Sequence, residues 1–89
     1  MKDLQPTRAQ DVAARIIDGN AVLVSPESSQ LFWLNPVATR IWELADGSNT
    51  VSDIAGQLCE EFEVERERAE KDVREMVQTF VDGGMLSLG

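Results

Sequence analysis

The segment Gln30-Leu31-Phe32-Trp33-Leu34-Asn35-Pro36 marks the point at which the hydrophobic pattern of the chain changes from strand-like to helix-like. The residues from Leu31 to Leu34 are aliphatic or aromatic and suit a β-strand. Asn35 and Pro36 then favour a helix start, because an asparagine side chain accepts hydrogen bonds from the first turn and proline fits the first helical position. We therefore expect strands before this segment and helices after it.

Two further strands are predicted upstream, over residues 12–17 and 21–24. Asp18-Gly19-Asn20 separates them, and these residue types favour a tight turn because they tolerate positive φ angles. A second turn at residues 26–29 leads into the strand at residues 30–34. Two short connections predict an antiparallel meander of three strands.

The strand at residues 30–34 would lie at an edge of this meander. If Phe32 and Leu34 face the core, Leu31 and Trp33 face outward. Exposed leucine and tryptophan side chains on an edge strand promote association unless something covers them. One interpretation is that an incoming peptide strand adds to this edge. The other is that both side chains pack on the amino-terminal arm or on a second copy of the chain.

Three helices are predicted downstream by apolar residues at helical spacing. The first follows Asn35 and Pro36 and ends near residues 46–47. The second covers about residues 52–62, with Thr50 and Asp53 spaced like a capping box. The third covers about residues 66–82 and stops at two glycines, after which Met85 and Leu86 are expected to fold back onto the body.

The order of these elements predicts an α+β fold, winged-helix-turn-helix-like, in which a three-stranded antiparallel sheet is followed by three helices. We assign this single domain to residues 11–89 and treat residues 1–10 as a flexible amino-terminal arm. Trp42 and Phe80 are expected in the core, Met76 is assigned to the core rather than to a ligand pocket, and Cys59 is expected to be half-buried.

Composition narrows the possible functions. The 89 residues carry a formal charge of −8, which opposes a nucleic-acid partner. The chain has no histidine and one cysteine, so no internal disulfide, zinc site or iron–sulfur site can be assembled and no cofactor is expected. No apolar run approaches the length of a membrane helix. A cytoplasmic binding module is therefore favoured over an enzyme.

The third predicted helix carries half of the basic residues, namely Arg66, Arg68, Lys71 and Arg74. Acidic residues alternate with them, so one interpretation is a solvated face with ion pairs one turn apart, such as Glu70 with Arg74. The other interpretation is that Lys71 and Arg74 contact acidic groups of a ligand.

Several segments share their order and spacing with a known family. They are residues 31–36, Ile41-Trp42-Glu43-Leu44-Ala45-Asp46-Gly47, Thr50-Val51, Ile54, Phe62, Val64, Asp72-Val73, Phe80 and Gly84-Met85-Leu86. Together they resemble the PqqD-like family, the small proteins typified by the pyrroloquinoline quinone (PQQ) biosynthesis chaperone D and also called RiPP recognition elements. The resemblance covers about residues 11–88.

The resemblance implies a non-catalytic peptide chaperone of natural product biosynthesis. In this family the leader segment of a ribosomally made precursor peptide adds as a strand to the third strand and lies against the third helix. The domain delivers the precursor to a separate modifying enzyme, often a radical S-adenosylmethionine (radical SAM) protein. Carried over by position, the peptide-binding residues are Gln30, Leu31, Phe32, Trp33, Leu34, Lys71, Arg74, Glu75 and Gln78.

Other classes of binding protein remain as alternatives. Size, acidity and helix content suit an acidic carrier or protein-interaction domain. An acyl carrier needs a serine between aspartate and leucine at a helix start, and no serine of this chain follows aspartate and precedes leucine. A winged-helix DNA-binding protein is suggested by fold shape alone, which is weak evidence for function.

Overall fold

The structure is a computed structural model and describes residues 5–9, 12–27 and 29–88. Its elements in chain order are β1 (Pro6–Arg8), β2 (Ala13–Ile17), β3 (Asn20–Val24), β4 (Leu31–Trp33), α1 (Pro36–Leu44), α2 (Val51–Phe62), α3 (Arg66–Asp82) and β5 (Leu86–Leu88). The predicted three-stranded antiparallel sheet followed by three helices is confirmed, and β1 pairs with β5 in an additional two-stranded sheet.

The three-stranded sheet has β3 at its centre, between β2 and β4. Asp18 and Gly19 connect β2 to β3 with φ angles of 54° and 84°, which are the left-handed conformations that a two-residue hairpin turn needs. Leu23 lies opposite Phe32 of β4 and is fully buried. The inner face of the central strand therefore belongs to the core, and β2 and β4 form the two edges of the sheet.

Local side chains fix the starts of α1 and α2. The Asn35 side-chain oxygen accepts a 2.8 Å hydrogen bond from the Ala38 amide, which satisfies one otherwise unpaired donor of α1. Thr50 and Asp53 form the predicted capping box at α2, each side chain accepting from the backbone amide of the other. Among the helices of the described ranges, none has the length and apolar character that crossing a bilayer requires.

The core lies where the inner face of the sheet meets all three helices. The rings of Trp42 from α1 and Phe80 from α3 meet edge to face, with centroids 5.5 Å apart. Met85 is fully buried and Leu86 nearly so, which confirms that the tail folds back. Cys59 is half-buried, as predicted.

The amino-terminal segment contains a strand at residues 6–8, whereas the sequence predicts that these residues belong to a flexible arm. Pro6 lies opposite Leu88 in an antiparallel register, and the Gly47 amide donates a 2.9 Å hydrogen bond to the Pro6 carbonyl. The Arg8 guanidinium lies 5.7 Å from the centre of the Trp42 ring. The rest of the expected arm, residues 1–4 and 10, lies outside the described residues.

Candidate functional site

Two hydrogen bonds at the ends of β4 show how this strand is bonded to β3. The Leu34 amide donates to the Ala21 carbonyl at 2.9 Å, and the Gln30 carbonyl accepts from the Ser25 amide at 2.9 Å. In an antiparallel pair, alternate residues of a strand direct their amide and carbonyl groups to the same neighbour. Residues 30, 32 and 34 therefore bond toward β3.

The intervening residues of β4 have the opposite orientation. Leu31 and Trp33 turn their backbone amide and carbonyl groups away from β3, and no strand of the described residues lies on that side. The side chains alternate as predicted: Phe32 is half-buried, whereas Leu31 and Trp33 are 56% and 68% exposed on the outer face. β4 therefore presents a backbone edge that an added strand can use.

β4 lies beside the carboxyl-terminal end of α3. The Ser25 hydroxyl, just before the β3–β4 turn, donates to the Gly83 carbonyl that follows α3. The Phe32 ring reaches the same glycine, with its terminal carbon 3.5 Å from the place where a Gly83 Cβ would stand. The strand β4 and the carboxyl-terminal end of α3 are thus held next to each other.

A groove with a cavity of about 700 Å³ opens between α1 and α3 and begins at Asn35, two residues after β4 ends. Its walls combine apolar side chains with a few polar ones. The lining residues are Asn35, Val37, Ala38, Ile41, Val64, Arg68, Asp72, Glu75, Met76 and Thr79. An apolar floor with a polar rim is typical of a site that takes an apolar side chain of a peptide.

The groove uses a different face of α3 from the one that the sequence predicts. Of the four predicted helix contacts, only Glu75 is among the lining residues. Arg74 instead lies 3.7 Å from Glu70, and the Gln78 side chain donates to Asp82 at 2.9 Å. Lys71 is exposed and does not line the groove.

The lining residues of α3 carry a signal in the sequence that the prediction missed. Residues 68, 72, 75, 76 and 79 recur at helical spacing and form one stripe beside the core stripe. Met76 belongs to both stripes, since it is half-buried against the core and also lines the groove. Its assignment to the core alone is therefore incomplete.

The basic residues of α3 are largely neutralised by the helix itself. Arg66 lies 2.8 Å from Glu70, and Arg68 lies 3.2 Å from Asp72. With the Arg74–Glu70 pair that the sequence predicts, each arginine of this helix has an acidic neighbour. The charged residues that line the groove are Arg68, Asp72 and Glu75, so its lining carries a net negative charge. Within the described residues no ion pair involves Glu75.

The sequence comparisons give one family for this chain. The sequence profile of the family described as coenzyme PQQ synthesis protein D (PqqD) matches residues 20–86 of this chain. A search of curated protein sequences finds no significant match.

Three solved structures are similar to this chain. TbiB1 in complex with the TbiA(beta) leader peptide is 26% identical, with 91% of this chain and 94% of that chain covered and a TM-score of 0.81. Lasso peptide synthetase B1 complexed with the leader peptide is also 26% identical, with coverages of 93% and 98% and a TM-score of 0.81. The PqqD truncation of Methylobacterium extorquens PqqCD, described as a stand-alone RiPP recognition element, is 28% identical, with coverages of 92% and 87% and a TM-score of 0.74.

Proposed function

The chain belongs to the coenzyme PQQ synthesis protein D (PqqD) family, and from this membership we propose that it is a non-catalytic RiPP recognition element that binds the leader segment of a ribosomally made precursor peptide. One observation carries the proposal: Leu31 and Trp33 turn their backbone hydrogen-bonding groups outward at a strand edge next to a partly apolar groove. Two structures similar to this chain were solved with a leader peptide bound.

We propose that the leader adds as a fourth strand to β4. The amide and carbonyl groups of Leu31 and Trp33 give the incoming strand main-chain hydrogen-bond partners. These bonds supply affinity that does not depend on the side chains of the leader. Side chains on the inner face of that strand then lie over the groove, where Val37, Ile41 and Met76 offer apolar contacts. The site as a whole binds an extended peptide and leaves any chemical step to another protein.

The proposed peptide contacts extend the set that the sequence predicts. Residues 30–34 and Glu75 stay in it, and Arg68, Asp72, Met76 and Thr79 join it as groove-lining residues. Lys71, Arg74 and Gln78 remain predictions that this groove does not favour. Because Arg68 is paired with Asp72 while Glu75 has no cationic partner among the described residues, we expect a neutral or basic leader segment on the α3 side.

We further propose that the leader-loaded chain delivers its precursor to a separate modifying enzyme. The family resemblance makes a radical SAM protein the first candidate. Delivery would take place in the cytoplasm, because the precursor is a ribosomal product. Co-purification of this chain with a radical SAM protein, in the presence and absence of a precursor peptide, tests the partner.

Leader binding is tested by titrating the ¹⁵N-labelled chain with synthetic leaders of candidate precursor peptides. We expect the amide signals of Leu31, Trp33 and the groove face of α3 to shift. No shift in β4 or α3 would refute the proposal.

A proline variant separates backbone pairing from side-chain contact. Leu31→Pro removes an amide that faces away from β3, so the hairpin keeps its own ladder and the fold survives. Leu31→Ala removes the same side chain but keeps the amide. We expect the proline variant to bind the leader at least about tenfold more weakly than the alanine variant, with folding of both checked by circular dichroism.

A further inference from the structure

We propose that the outward side chains of Leu31 and Trp33 select the leader, so that the preferred leader carries two apolar residues at positions i and i+2 of the strand that pairs with β4. This inference rests on the proposed function and deepens it. It concerns the outer face of the sheet, on the side opposite to the groove between α1 and α3.

The outer face already contains two apolar rows that run across the strands. Val22 of β3 lies opposite Trp33, and Val24 lies opposite Leu31. Val22 is only 9% exposed, whereas Trp33 is 68% exposed at the end of its row. Val24 is half-buried and Leu31 is 56% exposed, so each row is more exposed at the β4 edge than at the centre of the sheet.

An added strand must continue these rows. Neighbouring strands lie about 4.8 Å apart, and successive side chains alternate between the two faces of a sheet. The leader residues opposite Trp33 and Leu31 therefore direct their side chains to the outer face, two positions apart in the leader. Cross-strand neighbours at this distance are in contact, with Cβ atoms about 5 Å apart.

The chemistry of the rows defines the residues that would fit. Arg15 is the charged residue of the Trp33 row, and it lies on β2, beyond Val22 and two strands away from Trp33. Within the rows that the described strands form, the leader residue would thus meet an indole ring and an aliphatic side chain, with no charged residue on β4 itself. Aromatic and β-branched residues give the most favourable cross-strand pairs in such a setting, and a charged residue at either position would lose water without gaining a partner.

The site also has a natural reporter in Trp33. Trp42 is buried in the core, so acrylamide quenching of tryptophan fluorescence in the free chain comes mainly from the exposed indole of Trp33. Leader side chains packed beside that indole would protect it from the quencher. A peptide held by the groove alone would leave the outer face as accessible as before.

The test uses the same synthetic leader and a serine scan along it, with binding measured by calorimetry for the wild-type chain and for Trp33→Thr, Leu31→Thr and Ile17→Thr. Ile17→Thr is the matched control, because Ile17 is a 45% exposed apolar residue of the opposite edge strand β2. We expect Trp33→Thr and Leu31→Thr each to weaken binding about three- to fivefold, as one cross-strand pair predicts, and Ile17→Thr to leave it unchanged.

Coupling between substitutions in the leader and substitutions in β4 identifies the leader residues that contact Trp33 and Leu31. Serine at one leader position should weaken binding to the wild-type chain but not to Trp33→Thr. Serine two positions away in the leader should weaken binding to the wild-type chain but not to Leu31→Thr. Binding of the leader should also reduce acrylamide quenching of the wild-type chain.

Two results would overturn the inference and leave the proposed function intact. One is leader binding that is equally strong in all three threonine variants, with quenching unchanged. The other is a dimer that forms without peptide and is lost in Trp33→Thr, seen by analytical ultracentrifugation, which would assign this face to a second copy. No leader binding by the wild-type chain would instead refute the proposed function and this inference together.

Discussion

The hydroxyl of Ser25 donates a 2.6 Å hydrogen bond to the carbonyl oxygen of Gly83, across 58 positions of the chain. Ser25 is 1% exposed, so the serine end of the bond is shielded from water. It joins the end of β3 to the residue that follows α3. Because β4 comes immediately after the turn that Ser25 begins, this bond fixes the exposed strand edge relative to the helix that walls the groove.

Replacing this serine should weaken the fold. Ser25→Ala removes the buried donor to the Gly83 carbonyl, and we expect the free energy of unfolding to fall by about 1–3 kcal/mol. Urea denaturation followed by circular dichroism measures the change. Ser48→Ala is the control, since that hydroxyl bonds to Asp46 at the surface and its loss should cost less than about 0.5 kcal/mol. Equal effects of the two variants would contradict a structural role for the Ser25–Gly83 bond.

Two features of the next position, Gly84, favour glycine there. Its φ angle is +75°, and a Cβ placed on it would stand 2.6 Å from the carboxyl carbon of Glu27. Gly19 has a similar φ of +84° but nothing within 4 Å of its Cβ position. We expect Gly19→Ala to cost about 1–2 kcal/mol from backbone strain alone, and Gly84→Ala to cost at least as much, with any excess set by how easily the exposed Glu27 side chain moves away.

A double variant separates the contact of Gly84 from its backbone strain. Glu27→Ala removes the side chain that the new methyl group would meet. In this background, Gly84→Ala should cost no more than Gly19→Ala does in the wild-type chain, as measured by thermal and urea unfolding. A cost of Gly84→Ala that Glu27→Ala leaves unchanged would show that the Glu27 side chain moves away and that the contact adds nothing to the backbone strain.

The helices and the meander could be predicted because their signals are local. Asn35 with Pro36, and Thr50 with Asp53, are capping patterns whose hydrogen bonds span three residues. Asp18 and Gly19 define a hairpin turn by their tolerance of positive φ angles. In each case the residues whose types predict the element also make the capping hydrogen bonds or adopt the turn φ angles that form it.

The β1–β5 pair could not be predicted in this way. Pro6–Arg8 has no alternating pattern, and its partner Leu86–Leu88 lies at the other end of the chain. Such a pairing depends on where α3 ends in space, not on the local sequence.

The groove could not be predicted for a related reason. The charges of α3 indicate a polar helix, but only the packed position of α1 decides which of its residues lie beside the cavity. Asp72 and Thr79 do so, whereas Arg74 and Gln78 do not.

The ion pair between α1 and α2 predicts acid sensitivity. The Arg40 guanidinium donates to both Glu61 carboxylate oxygens, at 2.9 and 3.0 Å, and this bonding lowers the pKa of Glu61. A carboxylate with a lowered pKa in the folded state adds stability above its unfolded pKa, and this stability is lost as pH falls through the folded value. The window therefore begins near pH 4.5 and extends downward.

We expect Glu61→Gln to be less stable than the wild-type chain at pH 7 and the difference to shrink below about pH 4.5. Urea midpoints at pH 7, 5, 4 and 3 measure it. Glu60→Gln is the matched control, because it removes the same charge from the exposed neighbouring position. If the difference in stability between Glu61→Gln and the wild-type chain stays constant from pH 7 to pH 3, protonation of Glu61 removes no stability, and the Arg40–Glu61 bond does not stabilise the fold in the way proposed.

The two faces of α3 can be distinguished by filling one of them. Thr79 is exposed and lines the groove, whereas its neighbour Gln78 is exposed but lies outside the lining. Thr79→Tyr places a ring in the space between α1 and α3, and we expect leader affinity to fall at least about tenfold. Gln78→Tyr should leave affinity unchanged. Both surface variants should keep the wild-type free energy of unfolding within about 0.5 kcal/mol, and calorimetric titration with the synthetic leader gives the affinities.

A large loss of affinity with Gln78→Tyr and none with Thr79→Tyr would contradict this prediction. The leader would then lie along the Arg74–Gln78 face that the sequence predicts, and this groove would not be its site.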